Sequence, residues 1–143
     1  ATLAGSGQAA IAVGAPRRPR GGRPLPLDAE HLRGTRALFR GNLTRFGIEV
    51  EFVDDPNDPP DDWARRVRPN TKLFYGEAIP NPKNDLIDIE LIADAAHAHG
   101  LPFAIDSTVP TPYLLRPIEY GADIVLHSTS KFLAGHGSTI GGA

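Results

Sequence analysis

Asp123-Ile-Val-Leu-His-Ser-Thr-Ser-Lys-Phe-Leu-Ala-Gly-His-Gly137 is the stretch that decides the fold. Ile124 to Leu126 is an apolar run too short for a helix and right for a buried strand. Three hydroxyl residues and an amine follow at once, Ser128, Thr129, Ser130 and Lys131, and Gly135 and Gly137 then break the pattern. A strand that ends this way ends in a site, because ligands of open α/β sheets sit beyond the carboxyl ends of the strands. Working outward, apolar runs at 48–53, 72–76, 102–106 and 123–127 alternate with helical patterns. That alternation predicts an α/β chain with a mainly parallel sheet, flanking helices and right-handed crossovers.

At 143 residues the chain is at most one domain. Its 41% apolar and 22% charged shares are ordinary for a globular protein. There is no cysteine, which excludes a disulfide framework and a thiolate metal site and fits a cytoplasmic location. No apolar run approaches spanning length, so no membrane partner is expected. The N-terminus lacks the basic start and hydrophobic core of a secretory signal. The chain has no methionine at all and reads as an internal piece of a longer protein. A net charge of −2 hides an asymmetry: eight arginines and two acids up to Arg45, seven basic residues and fifteen acids after it. A basic stretch raises the question of a nucleic-acid partner. No aromatic is interleaved with the arginines before Phe39, so no base-stacking platform exists and none is expected. His97 and His99 are two apart on a helix, cannot share a metal and read as surface residues.

Taken in order, Ser6-Gly-Gln-Ala-Ala10 reads as a capped helix start, whose free N–H groups can receive an anion. Residues 15–30 differ in kind. Ala15-Pro-Arg-Arg-Pro-Arg-Gly-Gly-Arg-Pro-Leu-Pro-Leu27 shows no period, and its prolines give no donor to a ladder. It is expected to be a linker or disordered segment rather than a central strand. The composition is also that of GC-rich DNA read out of frame, so a frameshift and a real insertion both stay open. Asp28 is expected to cap a helix running to Phe46, stopped by Gly47, with Leu32, Phe39, Leu43 and Phe46 on one face. Ile48 to Val53 alternates like an edge strand, and Asp61 and Asp62 suit the first turn of a helix that turns Trp63 and Val67 inward. Asn81 stands between two prolines in a turn after the strand ending near Gly76. Asp88 caps a helix through His99, stopped by Gly100, with Ile89, Ile92, Ala93 and Ala96 as its buried stripe. Leu101 to Asp106 is a buried strand ending in a carboxylate, either a cap for the segment at Ser107 or a partner for a buried cation. Ser128 to Lys131 also fits the Ser-x-x-Lys motif of penicillin-recognising enzymes, but the accompanying Ser-Asp-Asn and Lys-Thr-Gly elements do not occur. Ser138 to Gly142 is expected to be a short returning strand.

Asp106 closing one apolar run and His-Ser-Thr-Ser-Lys-Phe-Leu-Ala-Gly-His-Gly following the next, with Ser6-Gly-Gln-Ala-Ala10 ahead of them, resembles the Cys/Met-metabolism family of pyridoxal-phosphate (PLP) enzymes. The likeness runs from about Gly41 to the end and fails between Gly14 and Leu32. It implies the partial large domain of a fold-type I PLP-dependent transferase over residues 1–143, without the N-terminal arm and the C-terminal domain. It also implies pyridoxal 5'-phosphate as cofactor. Gly7 and Gln8 would give backbone N–H groups to its phosphate, and Ser128 and Ser130 their hydroxyls. Asn81 would lie by the ring hydroxyl, Asp106 would pair with the pyridinium nitrogen and keep the ring an electron sink, and Lys131 would form the Schiff base and shuttle protons. The family's ring-stacking tyrosine has no counterpart at Leu32-Arg-Gly-Thr35. The implied reaction is γ-replacement on O-acetylhomoserine by sulfide or a thiol, giving homocysteine or methionine. The Asn81-Pro-Lys-Asn84 and Gly135-His-Gly137 forms favour it over cystathionine γ-synthase or γ-lyase chemistry on the same residues. The implied partners are a small amino-acid substrate and, since the family builds its sites across a dimer, further copies in a homo-oligomer, a tetramer. A non-catalytic remnant that at most binds PLP or phosphate is the reading of another class.

Overall fold

The computed structural model describes residues 1–14, 23–28, 37–45, 47–53, 57 and 61–143. Its centre is a five-stranded, all-parallel sheet in the order β2-β1-β3-β4-β5. The strands are β1 (Arg23–Asp28), β2 (Ile48–Val53), β3 (Phe74–Glu77), β4 (Phe103–Asp106) and β5 (Ile124–Leu126). The helices are α1 (Gly7–Gly14), the π-type α2 (Leu38–Leu43), α3 (Asp61–Arg65), α4 (Ile89–Ala98), α5 (Thr111–Leu114) and the π-type α6 (Thr129–Leu133).

The period-two geometry of a strand sends successive side chains to opposite faces, and the core divides accordingly. Phe74, Phe103 and Ile105 join Trp63, Ile92 and Ala96 on the α3–α4 side. Tyr75, Ala104 and Leu126 join Ile11, Phe39 and Leu43 on the α1–α2 side. Trp63 stacks on Phe74 at 5.1 Å, and Phe39 meets Tyr75 edge-on at 5.1 Å. Both faces of the sheet are therefore covered, as a parallel sheet requires.

Several expectations hold as stated. Ser6 Oγ accepts from Ala9 N at 3.1 Å and caps α1. Asp88 Oδ1 accepts from Leu91 N at 3.0 Å and caps α4, and Gly47 and Gly100 end their helices with φ of 74° and 66°. Strand β2 is an edge strand. The expectations for Leu32 to Thr35 and Phe46, and for residues 15–22, 29 and 30 of the proline-rich segment, lie outside the described residues.

Residues 23–28 correct the linker reading. They form β1, a central strand between β2 and β3, and Asp28 ends that strand instead of capping a helix. The physical reason lies in the spacing of the prolines. Peptide groups alternate sides along a strand, so Pro24 and Pro26, two apart, lose their donors on one side only. The ladder on the other side keeps its donors. The pairing is lopsided in the same sense: six register pairs join β1 to β2, and one, Leu27 with Tyr75, joins it to β3. A second correction concerns 138–142, which make no strand: Gly142 alone forms antiparallel bridges, to Ala4 and to Ser128.

His97 is exposed, as expected, yet it is not idle. Its Nε2 lies 2.9 Å from Asp123 Oδ2, which also accepts from Phe103 N at 2.8 Å. The three residues fasten the end of α4 to the starts of β4 and β5. Burial tends to raise the Asp123 carboxyl, but the Phe103 N–H, the His97 bond and the His97 charge outweigh it and hold the carboxyl below its ordinary 3.8. A depressed folded-state carboxyl stabilises above its unfolded value and loses that contribution as pH falls through the folded one. Asp123→Asn is therefore expected to lower the urea midpoint at neutral pH and to flatten its fall below about pH 3.8, the ordinary carboxylate value. An unchanged acid limb in the variant would contradict this.

Candidate active site

Parallel pairing puts the carboxyl ends of β3, β4 and β5 on one edge, and the register sets Glu77 beside Asp106 and Asp106 beside Leu126. The backbone continues to zip past the strands: Ala78 N donates to Asp106 O and Ser107 N to Leu126 O, both at 2.9 Å. This brings Asp106, Ser107 and Thr108 against His127 and Ser128.

Thr108 joins the two segments. Asp106 Oδ1 accepts from Thr108 N at 2.9 Å and from Thr108 Oγ1 at 2.5 Å, while the same Oγ1 accepts from Ser128 N at 2.7 Å. The carboxylate thus caps the segment that follows, as one of its two readings had it, and both bonds fall on one oxygen. Thr108 was not singled out from the sequence. The signal was the hydroxyl two residues after a strand-end aspartate, the spacing of an Asx-type turn.

Helix α1 reaches this edge from the start of the chain. Ser6 accounts for the N–H groups of Ala9 and Ala10, through its Oγ and its carbonyl. Helix geometry gives Gly7 N and Gln8 N no partner inside α1. A Cβ on Gly7 would stand 2.7 Å from Ser128 Cβ and 2.9 Å from its Oγ, so only glycine lets the helix start lie against that hydroxyl. Two N–H donors, a helix dipole and a hydroxyl converge there, the donor set a phosphate takes. Gly7→Ala is expected to cost roughly 1–3 kcal/mol of stability by overpacking, read as a lower urea midpoint, and to weaken binding of a phosphate-bearing ligand by moving the helix start off Ser128. Gly5→Ala is the silent control, since nothing lies within 4 Å of a Cβ there.

Ser130 lies at the same edge but is engaged elsewhere: its Oγ accepts from Gly141 N at 2.9 Å and donates to Gly141 O at 3.3 Å. Its proton must leave the longer of those bonds to reach a phosphate. Thr129 turns toward Gly141, where an added Cβ would meet its Oγ1 at 2.5 Å. Lys131 is exposed and interrupts α6 with φ −92° and ψ −120°. Its N donates to Ser128 O and its carbonyl accepts from Gly135 N, which anchor the backbone beneath the amine. Asn81 is exposed in the turn after β3, on the same edge, with no bond to the others.

His127, the residue between β5 and Ser128, was also passed over. Burial pulls its imidazole below the ordinary 6.5, partly offset by the Asp106 charge and the Ser107 backbone. Its Nδ1 is buried without a hydrogen-bond partner. A concavity of about 590 Å³ lies elsewhere, between the start of α4, Asn57, Leu115 and Tyr120. The chemistry-bearing groups are on the open strand edge, where ligands of α/β sheets bind, and volume is the poorer guide here. No cluster of three metal-ligating side chains exists among the described residues.

A carboxylate at one strand end, a helix start and hydroxyls at the next, and a lysine one turn further bring anion donors, a negative charge and an amine to one edge of the sheet. The chain belongs to the Cys/Met metabolism PLP-dependent enzyme family, whose model matches residues 1–143 and so runs through the proline-rich segment. It is 48% identical over 109 residues to the O-acetyl-L-homoserine sulfhydrylase of Corynebacterium glutamicum, covering 76% of this chain and 25% of that one. It is 46% identical over 109 residues to the L-methionine gamma-lyase of Porphyromonas gingivalis, covering 76% and 27%. A candidate O-acetylhomoserine (thiol)-lyase of Campylobacter jejuni, solved with N'-pyridoxyl-lysine-5'-monophosphate, superposes with a TM-score of 0.91 at 33% identity, over 98% of this chain and 34% of that one. The chain spans about a quarter to a third of the length of these relatives. No helix among the described residues is long and apolar enough to cross a membrane.

Proposed function

We propose that this chain is part of the cofactor-binding large domain of an enzyme that replaces the acetate of O-acetylhomoserine by sulfide or a thiol, giving homocysteine or methionine. The observation that carries the reading is the convergence of Gly7, Asp106 and Ser128 on one strand edge, with Lys131 one turn on. Gly7 N, Gln8 N and the Ser128 and Ser130 hydroxyls would hold the phosphate. The Asp106 carboxylate, oriented through Oδ1 by Thr108, would pair with the ring nitrogen and keep it protonated. Asn81 would serve the ring hydroxyl. PLP, when bound, supplies an electron sink for charge developed on the substrate. The Lys131 amine would be its point of attachment and, when free, the group that carries protons to and from the substrate carbons. The N-terminal arm and the C-terminal domain that the resemblance implies would complete the site, and the working form is a cytoplasmic homo-oligomer with sites built across a dimer.

The test has two stages. PLP is added to the protein, reduced with borohydride and mapped by peptide mass. A label on Lys131 alone supports the cofactor site, and scattered or absent label supports the remnant reading. Turnover is then followed as acetate release from O-acetylhomoserine with sulfide. Ammonia and a 2-oxo acid formed from methionine or cystathionine, without acetate-releasing turnover, would move the assignment to the γ-lyase reaction, which the likeness to the L-methionine gamma-lyase favours as second reading.

A further inference from the structure

We propose that Thr108 is a positioning residue that joins the two ends of the cofactor site: its one hydroxyl leaves Asp106 Oδ2 as the oxygen for the ring nitrogen and ties that carboxylate to Ser128 at the phosphate end. The inference rests on the PLP reading above and adds to it a residue that acts through Asp106.

The direction of the bonds carries the argument. Ser128 N can only donate, so Thr108 Oγ1, 2.7 Å away, is its acceptor. A hydroxyl has a single proton to give. That proton therefore goes to Asp106 Oδ1, at 2.5 Å, a length typical of a hydroxyl bonded to a charged oxygen. Thr108 N donates to the same oxygen at 2.9 Å. Two donors aimed at Oδ1 leave no place for a proton on it. Oδ2 accepts from nothing among the described residues and is the oxygen left for a ligand.

The scaffold holds this arrangement from both sides. Ser107 N donates to Leu126 O at 2.9 Å, and Ser107 O accepts from Thr111 N at 3.1 Å, so the backbone just before Thr108 is fixed to β5 and to α5. Thr108 is 8% exposed, which keeps water from replacing its hydroxyl in either bond. Ser128 is the residue against which Gly7 lies, so a displaced Thr108 hydroxyl would disturb both the carboxylate and the helix start. Closure of a turn accounts for the bond from Thr108 N. It does not account for the hydroxyl, whose second partner is 20 residues further along the chain.

Two measurements test the role. In the first, dissociation constants for PLP and for its analogue with C–H in place of the ring nitrogen are compared in the wild type, Thr108→Val and Thr108→Ser. Any loss at the phosphate end falls on both ligands alike and cancels in their ratio. The wild type is expected to prefer PLP, and Thr108→Val to lose about tenfold of that preference, because a hydrogen bond to a charged group is removed. Thr108→Ser keeps the hydroxyl and is expected to keep the preference. An unchanged preference in Thr108→Val would overturn the proposal and make Thr108 a turn residue. In the second, hydrogen exchange is followed in the cofactor-free wild type. The Ser128 amide is expected to exchange on the order of tenfold or more slower than an open peptide. Exchange at the open-peptide rate would overturn the proposal even if no variant at position 108 folds. Borohydride labelling of the wild type separates the failures: a label on Lys131 with an unchanged preference refutes Thr108 alone, and no label on Lys131 refutes the PLP reading and this inference with it.

Discussion

Lys131→Ala is expected to abolish borohydride-stable attachment of PLP and to reduce turnover by on the order of 10²–10⁴-fold through the lost proton carrier alone. The chain has three lysines, at 72, 83 and 131. Lys72 precedes β3, at the opposite edge of the sheet, and Lys83 lies in the turn beyond β3. Only Lys131 follows directly on the hydroxyls that meet the start of α1. Lys83→Ala should therefore keep the label, and Lys131→Arg should lose it, because a guanidinium is never deprotonated and cannot attack a carbonyl. The checks are peptide mapping after reduction and acetate release. Turnover of Lys131→Ala within tenfold of wild type would assign the chemistry to another base.

Asp106→Asn is the second large effect. Asparagine keeps the shape and an Oδ1 acceptor, so the bonds from Thr108 N and Thr108 Oγ1 survive. What it loses is the carboxylate charge that is proposed to pair with the ring nitrogen. A hydrogen bond to a charged group contributes roughly 1.5–3 kcal/mol, so PLP is expected to bind on the order of 10–150-fold more weakly. The melting temperature should change little. The measurement pairs a PLP titration with a thermal melt. A collapsed melting temperature with intact affinity would make Asp106 a turn residue and nothing more. Thr108→Val serves as the complement, since it removes the Oγ1 contacts to Asp106 and Ser128 and leaves the charge in place.

Most of the sheet was legible because alternation and apolar runs are local signals. Ile48 to Val53, the run ending at Asp106 and the run ending at Leu126 all formed strands where the pattern placed them. The Asp88 cap and the buried stripe of α4 were legible for the same reason: capping and period depend on residues three or four apart. Residues 23–28 misled because the cost of proline was judged residue by residue. Two prolines of the same parity damage only one ladder, and the gain lies in six paired positions on another strand that no local window contains. The surface position of His97 was legible, but its partner Asp123, just ahead of β5, was not, because the two are 26 residues apart.

The sequence by itself determined the strand-end chemistry: which residues carry the carboxylate, the hydroxyls and the amine, and that each follows an apolar run. Only the tertiary structure decided that these ends are neighbours. Strand order 2-1-3-4-5 sets Asp106 beside β5, Thr108 bonds Asp106 to Ser128, and Gly7 arrives on Ser128 from the start of the chain. The reason is physical. Side-chain period is written into consecutive residues, whereas strand order follows from burying both faces of the sheet at once, a free energy that belongs to the whole packed chain.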